Sequence, residues 1–127
     1  EGNRRVVFGL RGMKTHMGDP HRNFVDFAHV PVVKRLTRMP VCIDPSHSVG
    51  SRARGPEGIL DLMHVTAQGV AAGANMILVD FHPEPSKALV DGPQALLLSE
   101  LPHFVEDVGI AREAYLKRTA LAQRQAV

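Results

Sequence analysis

Three short and nearly unbroken apolar runs constrain this chain more than anything else in it. Residues 5–10 (RVVFGL), 39–43 (MPVCI) and 75–79 (NMILV) recur about every 35 residues, and none alternates cleanly with polar residues. A strand with one wet face alternates, whereas a strand covered on both faces, as in a parallel sheet, does not. Parallel neighbours also need a long crossover, commonly a helix, and the intervals supply helical patterns. Residues 23–38 place Phe24, Phe27, Val30, Val33 and Leu36 near helical spacing, with Pro31 expected to kink or interrupt them. Residues 56–73 open on a proline suited to a first turn, carry Ile59, Leu62, Met63 and Val70, and stop at a glycine. After Ser99 a third helical pattern carries Leu101, Phe104, Val105, Val108 and Tyr115, then enters a polar tail, residues 117–127, expected to fray. The fold class is therefore α/β, with residues 1–116 as one domain of three βα units. Three units fall short of both a closed eight-unit barrel, typically about 250 residues, and a doubly wound sheet.

Composition narrows the partners. A chain of 127 residues can bury roughly two thirds of its unfolded surface, enough for one core. A net charge of +2, with no face loaded with Lys and Arg, gives no argument for nucleic acid. The single cysteine, Cys42, excludes an internal disulfide framework and reads as a small buried core residue. No apolar run approaches the length of about 18 residues needed to cross a bilayer, and no signal-peptide pattern is seen, so no membrane role and a cytoplasmic location are expected.

Chemistry gathers where the strands end, the place parallel α/β folds reserve for function. The first run ends in Leu10-Arg11-Gly12 and the second in Asp44-Pro45-Ser46-His47. The third ends in Asp80-Phe81-His82-Pro83-Glu84-Pro85, followed by Lys87 and Asp91. Adjacent parallel strands would bring Arg11, His47 and Asp80 to one rim. An imidazole with carboxylates suits a divalent metal, and an arginine beside it suits a phosphate or carboxylate. The same residues also suit a hydrogen bond that fastens a loop, or a surface ion pair in the case of Arg11. His16, His21, His29, His64 and His103 have no partner spacing and read as surface or helix-face residues.

Together these strings carry a resemblance. IDPSHSVG and VDFHPEPSKALVDGPQAL resemble the C-terminal portion of the 3-deoxy-7-phosphoheptulonate (DAHP) synthase and 3-deoxyoctulosonate 8-phosphate synthase superfamily, especially the short microbial DAHP synthase type. GLRG around Arg11 and DPHRNFVDFAHVPVVKRL fit that family's preceding unit. The resemblance implies a TIM (β/α)8 barrel of which this chain supplies the last three βα units, a partial barrel. It implies condensation of phosphoenolpyruvate with a phosphorylated aldose, erythrose 4-phosphate in the shikimate-pathway members, with release of inorganic phosphate. A divalent metal, manganese, iron, cobalt or zinc, is implied as the cofactor. Carried onto this sequence, His47 and Asp91 match metal ligands with catalytic roles, and Arg11 matches an arginine that holds phosphoenolpyruvate. Asp80 takes a third ligand position where the family has glutamate. The family's cysteine ligand belongs to an early strand, and Cys42, expected to face the core, does not replace it. The chain by itself is then expected to bind metal weakly and to need an N-terminal half-barrel partner, or to self-associate over bare strand edges. The alternative is a catalytically inactive partial barrel used for binding, regulation or oligomerisation.

Overall fold

A computed structural model describes residues 2–125. In chain order the elements are β1 (Phe8–Leu10), α1 (His29–Thr37), β2 (Val41–Ile43), α2 (Pro45–Val49) and α3 (Asp61–Ala71). They continue with β3 (Met76–Ile77), β4 (Phe81–His82), β5 (Leu96–Leu97) and α4 (Leu101–Gln125), a mixed α/β chain. The three apolar runs pair in parallel in the order β1-β2-β3, with Phe8 opposite Val41, Leu10 opposite Ile43, and Ile43 opposite Ile77. The strands are shorter than the runs, although Asn75 N–H to Val41 O and Leu78 N–H to Ile43 O extend the ladder on either side of β3. Beyond the expected three, β4 and β5 form a separate parallel pair, Phe81 opposite Leu96 and His82 opposite Leu97.

Side-chain alternation along β2 decides where the core lies. Val41 and Ile43 are fully buried and pack with Phe27, Val30, Leu62, Val65, Val70 and Phe104 from the helical side. Cys42, between them, turns to the opposite face and is only half-buried, so it is not the core residue expected. Burial, and then the nearby Asp44 charge, push its thiol above the ordinary range, which leaves it a poor thiolate. On the helical side α3 approaches β2 closely at Gly69, where an added Cβ would run into Ile43 and Phe27.

The helices correct several expectations. α1 begins only at His29, so Pro31 sits in its first turn, where a missing N–H costs nothing, and starts the helix instead of kinking it. α3 begins at Asp61, because Pro56 lies in a turn closed by Gly58 N–H to Gly55 O. The polar tail is not frayed as far as it is described: α4 runs unbroken to Gln125, and Arg118 Nη1 donates to Ala71 O at the end of α3. Ala126 and Val127 lie outside the described residues. His21 has a partner after all, since its Nε2 lies 2.8 Å from Asp61 Oδ2 at the start of α3. No helix among the described residues is long and apolar enough to cross a membrane.

A two-pronged ion pair fastens the loop after α2 to the start of α4. Arg52 Nη1 and Nη2 donate to Glu100 Oε2 and Oε1, each at 2.9 Å, and Nη1 also reaches Ala95 O. Hydrogen bonding from Arg52 holds the Glu100 carboxyl below its usual range, against an opposing effect of burial. A carboxyl lowered in the folded state adds stability above its unfolded pKa, about 4.3, and that contribution is lost as pH falls through the folded value. Glu100→Gln should therefore cost about 1.5 to 3 kcal/mol near neutral pH and flatten the loss of stability below about pH 4. Urea melts across pH 3 to 7 read this, and parallel pH profiles for both proteins would refute it.

Candidate metal centre

The rim above β2 is built by a one-turn helix. Asp44 ends β2 and caps α2, its Oδ1 accepting from His47 N–H at 3.2 Å; Pro45 occupies the first helical position, and Gly50 closes the turn in a left-handed conformation. This puts His47 on the third helical residue, turned back over its own cap. Its Nδ1 lies 2.9 Å from the same Asp44 oxygen. Burial alone would raise the Asp44 carboxyl, but hydrogen bonds from His47 and Arg11 outweigh it and hold Asp44 below the usual range. An ionised carboxylate only accepts, so Nδ1 donates to Asp44, and in the neutral imidazole that arrangement leaves the Nε2 lone pair free.

Two more acids flank the ring. His47 Nε2 is 3.6 Å from Asp91 Oδ2, and its Nδ1 is 3.9 Å from Asp80 Oδ2. Asp91 adopts a left-handed backbone with φ of 57°, a conformation aspartate tolerates better than most residues. One ligand atom from each of His47, Asp80 and Asp91 lies within 4.8 Å of the others. Donors bound to one ion at about 2.0 to 2.2 Å stand about 3 to 4.4 Å apart, so only a small closing movement separates this trio from a coordination set. Nitrogen and carboxylate oxygen together fit a divalent first-row metal.

Arg11 lies on the adjoining strand end, as its sequence position suggests. Its Nε and Nη2 donate to Asp44 Oδ2 at 3.1 and 2.8 Å, while half of the side chain remains exposed.

Comparison with known families matches residues 1–115 to the DAHP synthetase I family. This chain is a member of the DAHP synthetase I family. It is 33% identical over 117 residues to a phospho-2-dehydro-3-deoxyheptonate aldolase of Thermotoga maritima, covering 86% of this chain and 32% of that protein. It is 32% identical over 117 residues to a 2-dehydro-3-deoxyphosphooctonate aldolase of Desulfosudis oleivorans, covering 89% of this chain and 41% of that one. The crystal structure of a Thermotoga maritima DAHP synthase superposes with a TM-score of 0.76 at 32% identity, over 89% of this chain and 31% of the other. The chain thus spans about a third to two fifths of the length of these relatives.

Several residues around this rim carried no signal in the sequence. Ser46 Oγ accepts from Asp80 N–H at 3.0 Å and so ties α2 to the chain entering β4. Asn23, nearly buried, donates from Nδ2 to the carbonyls of both Arg11 and His47. Arg22 Nη1 lies 3.9 Å from Asp91 Oδ1, a long ion pair on a half-exposed rim. Gln94 Nε2 donates to Asp80 Oδ2 at 2.9 Å. Periodicity cannot find such residues, because each works through one polar atom and not through membership of an apolar face.

Proposed function

We propose that this chain is the C-terminal three-unit part of a TIM-type barrel enzyme of the aromatic biosynthetic (shikimate) pathway. The reaction is the condensation of phosphoenolpyruvate with erythrose 4-phosphate, with release of inorganic phosphate, in the cytoplasm. The observation that carries this is the convergence of His47, Asp80 and Asp91 on one rim with Arg11 beside them, in a chain of this family.

In this reading His47 through Nε2, Asp80 and Asp91 hold the divalent ion, manganese, iron, cobalt or zinc. The ion supplies Lewis acidity toward the aldehyde oxygen of the sugar phosphate. Asp44 keeps the proton on Nδ1 and so presents the unprotonated Nε2. Arg11 meets the carboxylate or phosphate of phosphoenolpyruvate with Nη1, which has no partner among the described residues, while its other two nitrogens stay on Asp44. Asp44 thereby fixes the distance between the anion site and the metal site.

The relatives' remaining length is where further ligands and phosphate contacts would come from, so the active species is this chain with an N-terminal half-barrel. Apolar residues near the strands, Phe8, Met76 and Leu78, are exposed and give such a partner, or a second copy, something to cover. Phosphate release from phosphoenolpyruvate and erythrose 4-phosphate should be absent with the chain alone and appear when an N-terminal half from a relative is added with manganese. Failure in every combination, with metal binding intact, would favour an inactive binding module.

A further inference from the structure

Gln94 is completely buried, yet it carries an amide that none of the roles above requires. Its Nε2 donates to Asp80 Oδ2 at 2.9 Å, and its Oε1 has no hydrogen-bond partner among the described residues. Turning the amide the other way would set Oε1 against a carboxylate oxygen, two acceptors together. An apolar side chain of similar volume would fill the space without burying an unpaired oxygen. What only the glutamine provides is a donor aimed at Asp80.

Asp80 is otherwise held by its main chain. Its N–H donates to Ser46 Oγ at 3.0 Å, and its carbonyl accepts from Leu96 N–H at 2.9 Å. Rotation of the carboxylate is the remaining freedom, and Gln94 removes it by engaging Oδ2, the oxygen that lies 3.9 Å from His47 Nδ1. We propose that Gln94 is a positioning residue of the metal centre, fixing the Asp80 carboxylate so that its remaining lone pairs serve an ion shared with His47 and Asp91. The proposal rests on the metal assignment made above.

The test is calorimetric titration of manganese into the 127-residue chain, with Gln94→Leu and Gln94→Met alongside, each checked for native circular dichroism. Both variants should weaken manganese binding about 10- to 100-fold, while the metal-free melting temperature stays level or rises. A merely structural glutamine would give the reverse, a lower melting temperature with unaltered affinity in the folded protein. The link to Asp80 is read by a double-mutant cycle: in an Asp80→Asn background, Gln94→Leu should change affinity by less than about 2-fold. Unchanged affinity in both variants, full additivity in the cycle, or failure of both variants to fold overturns the proposal. His47→Ala separates this from the metal assignment. If it abolishes binding while the Gln94 variants bind like wild type, only the role of Gln94 is lost. If binding survives His47→Ala, or the wild type takes up no manganese, the metal centre is misassigned and the proposal falls with it.

Discussion

Manganese at about 100 times its dissociation constant should stabilise the chain by about 2.7 kcal/mol, and His47→Ala should abolish that gain. Three carboxylates, Asp44, Asp80 and Asp91, lie within 4 Å of the His47 ring, balanced among the described residues only by Arg11 on Asp44 and the distant Arg22 on Asp91. A divalent ion between Asp80 and Asp91 would relieve the acid excess and link residues on either side of β4. Loss of a residue that merely orients a ligand typically weakens metal binding about 10- to 100-fold, so loss of the imidazole itself should exceed that. The available set is three protein ligands, which makes affinity modest and calls for excess metal. Thermal melts with and without manganese, and again after chelation, give the answer. A melting temperature that rises equally in wild type and His47→Ala would place the ion elsewhere.

Gly12→Ala should cost about 3 kcal/mol and lower the melting temperature by roughly 10 °C. Gly12 has φ of +87°, and a Cβ there would stand 2.5 Å from Phe24 O. That oxygen is already engaged by Met13 N–H, and Met13 O in turn accepts from Phe24 N–H, so the clash falls on paired backbone and no side-chain rotation relieves it. The neighbouring Arg11 carbonyl is held by Asn23 Nδ2 and Ser48 Oγ. Displacing the Gly12 loop therefore disturbs the placement of Arg11 as well as the fold. A melting temperature within 2 °C of wild type, about half a kcal/mol, would show that the loop yields more easily than this packing allows.

The sheet was legible because its strands obey a rule that spans many residues. An unbroken apolar run demands cover on two faces, and the helical intervals demand parallel neighbours; β1, β2 and β3 pair accordingly. β4 and β5 escaped because two paired residues each, Phe81–His82 and Leu96–Leu97, carry no period. Cys42 was misplaced because an unbroken run conceals which face a residue takes. α2 was hidden in what reads as a loop, although Asp44 at the cap, Pro45 at the first position and Gly50 at the end are all recognisable helix signals. Of the candidate site, Arg11, His47 and Asp80 could be placed from strand ends, and Asp91 only through the family resemblance. Gln94 and Asn23 could not, since burial of a single amide depends on contacts across the fold that one-dimensional spacing does not encode.

The cap of α2 limits what the genetic alphabet can write at position 44. Asp44 accepts the His47 main-chain N–H, receives the His47 ring and pairs with Arg11, all through one short, buried carboxylate. Asparagine could cap the helix but would bring an amide group and no charge to Arg11. Serine and threonine could cap it and reach neither partner with charge. Glutamate keeps the charge on a longer arm that no longer folds back onto the turn. Each alternative satisfies a part of the arrangement and breaks another, so helix initiation, imidazole tautomer and arginine placement cannot drift independently. Position 44 is thus a point where folding and chemistry are spelled by the same letter.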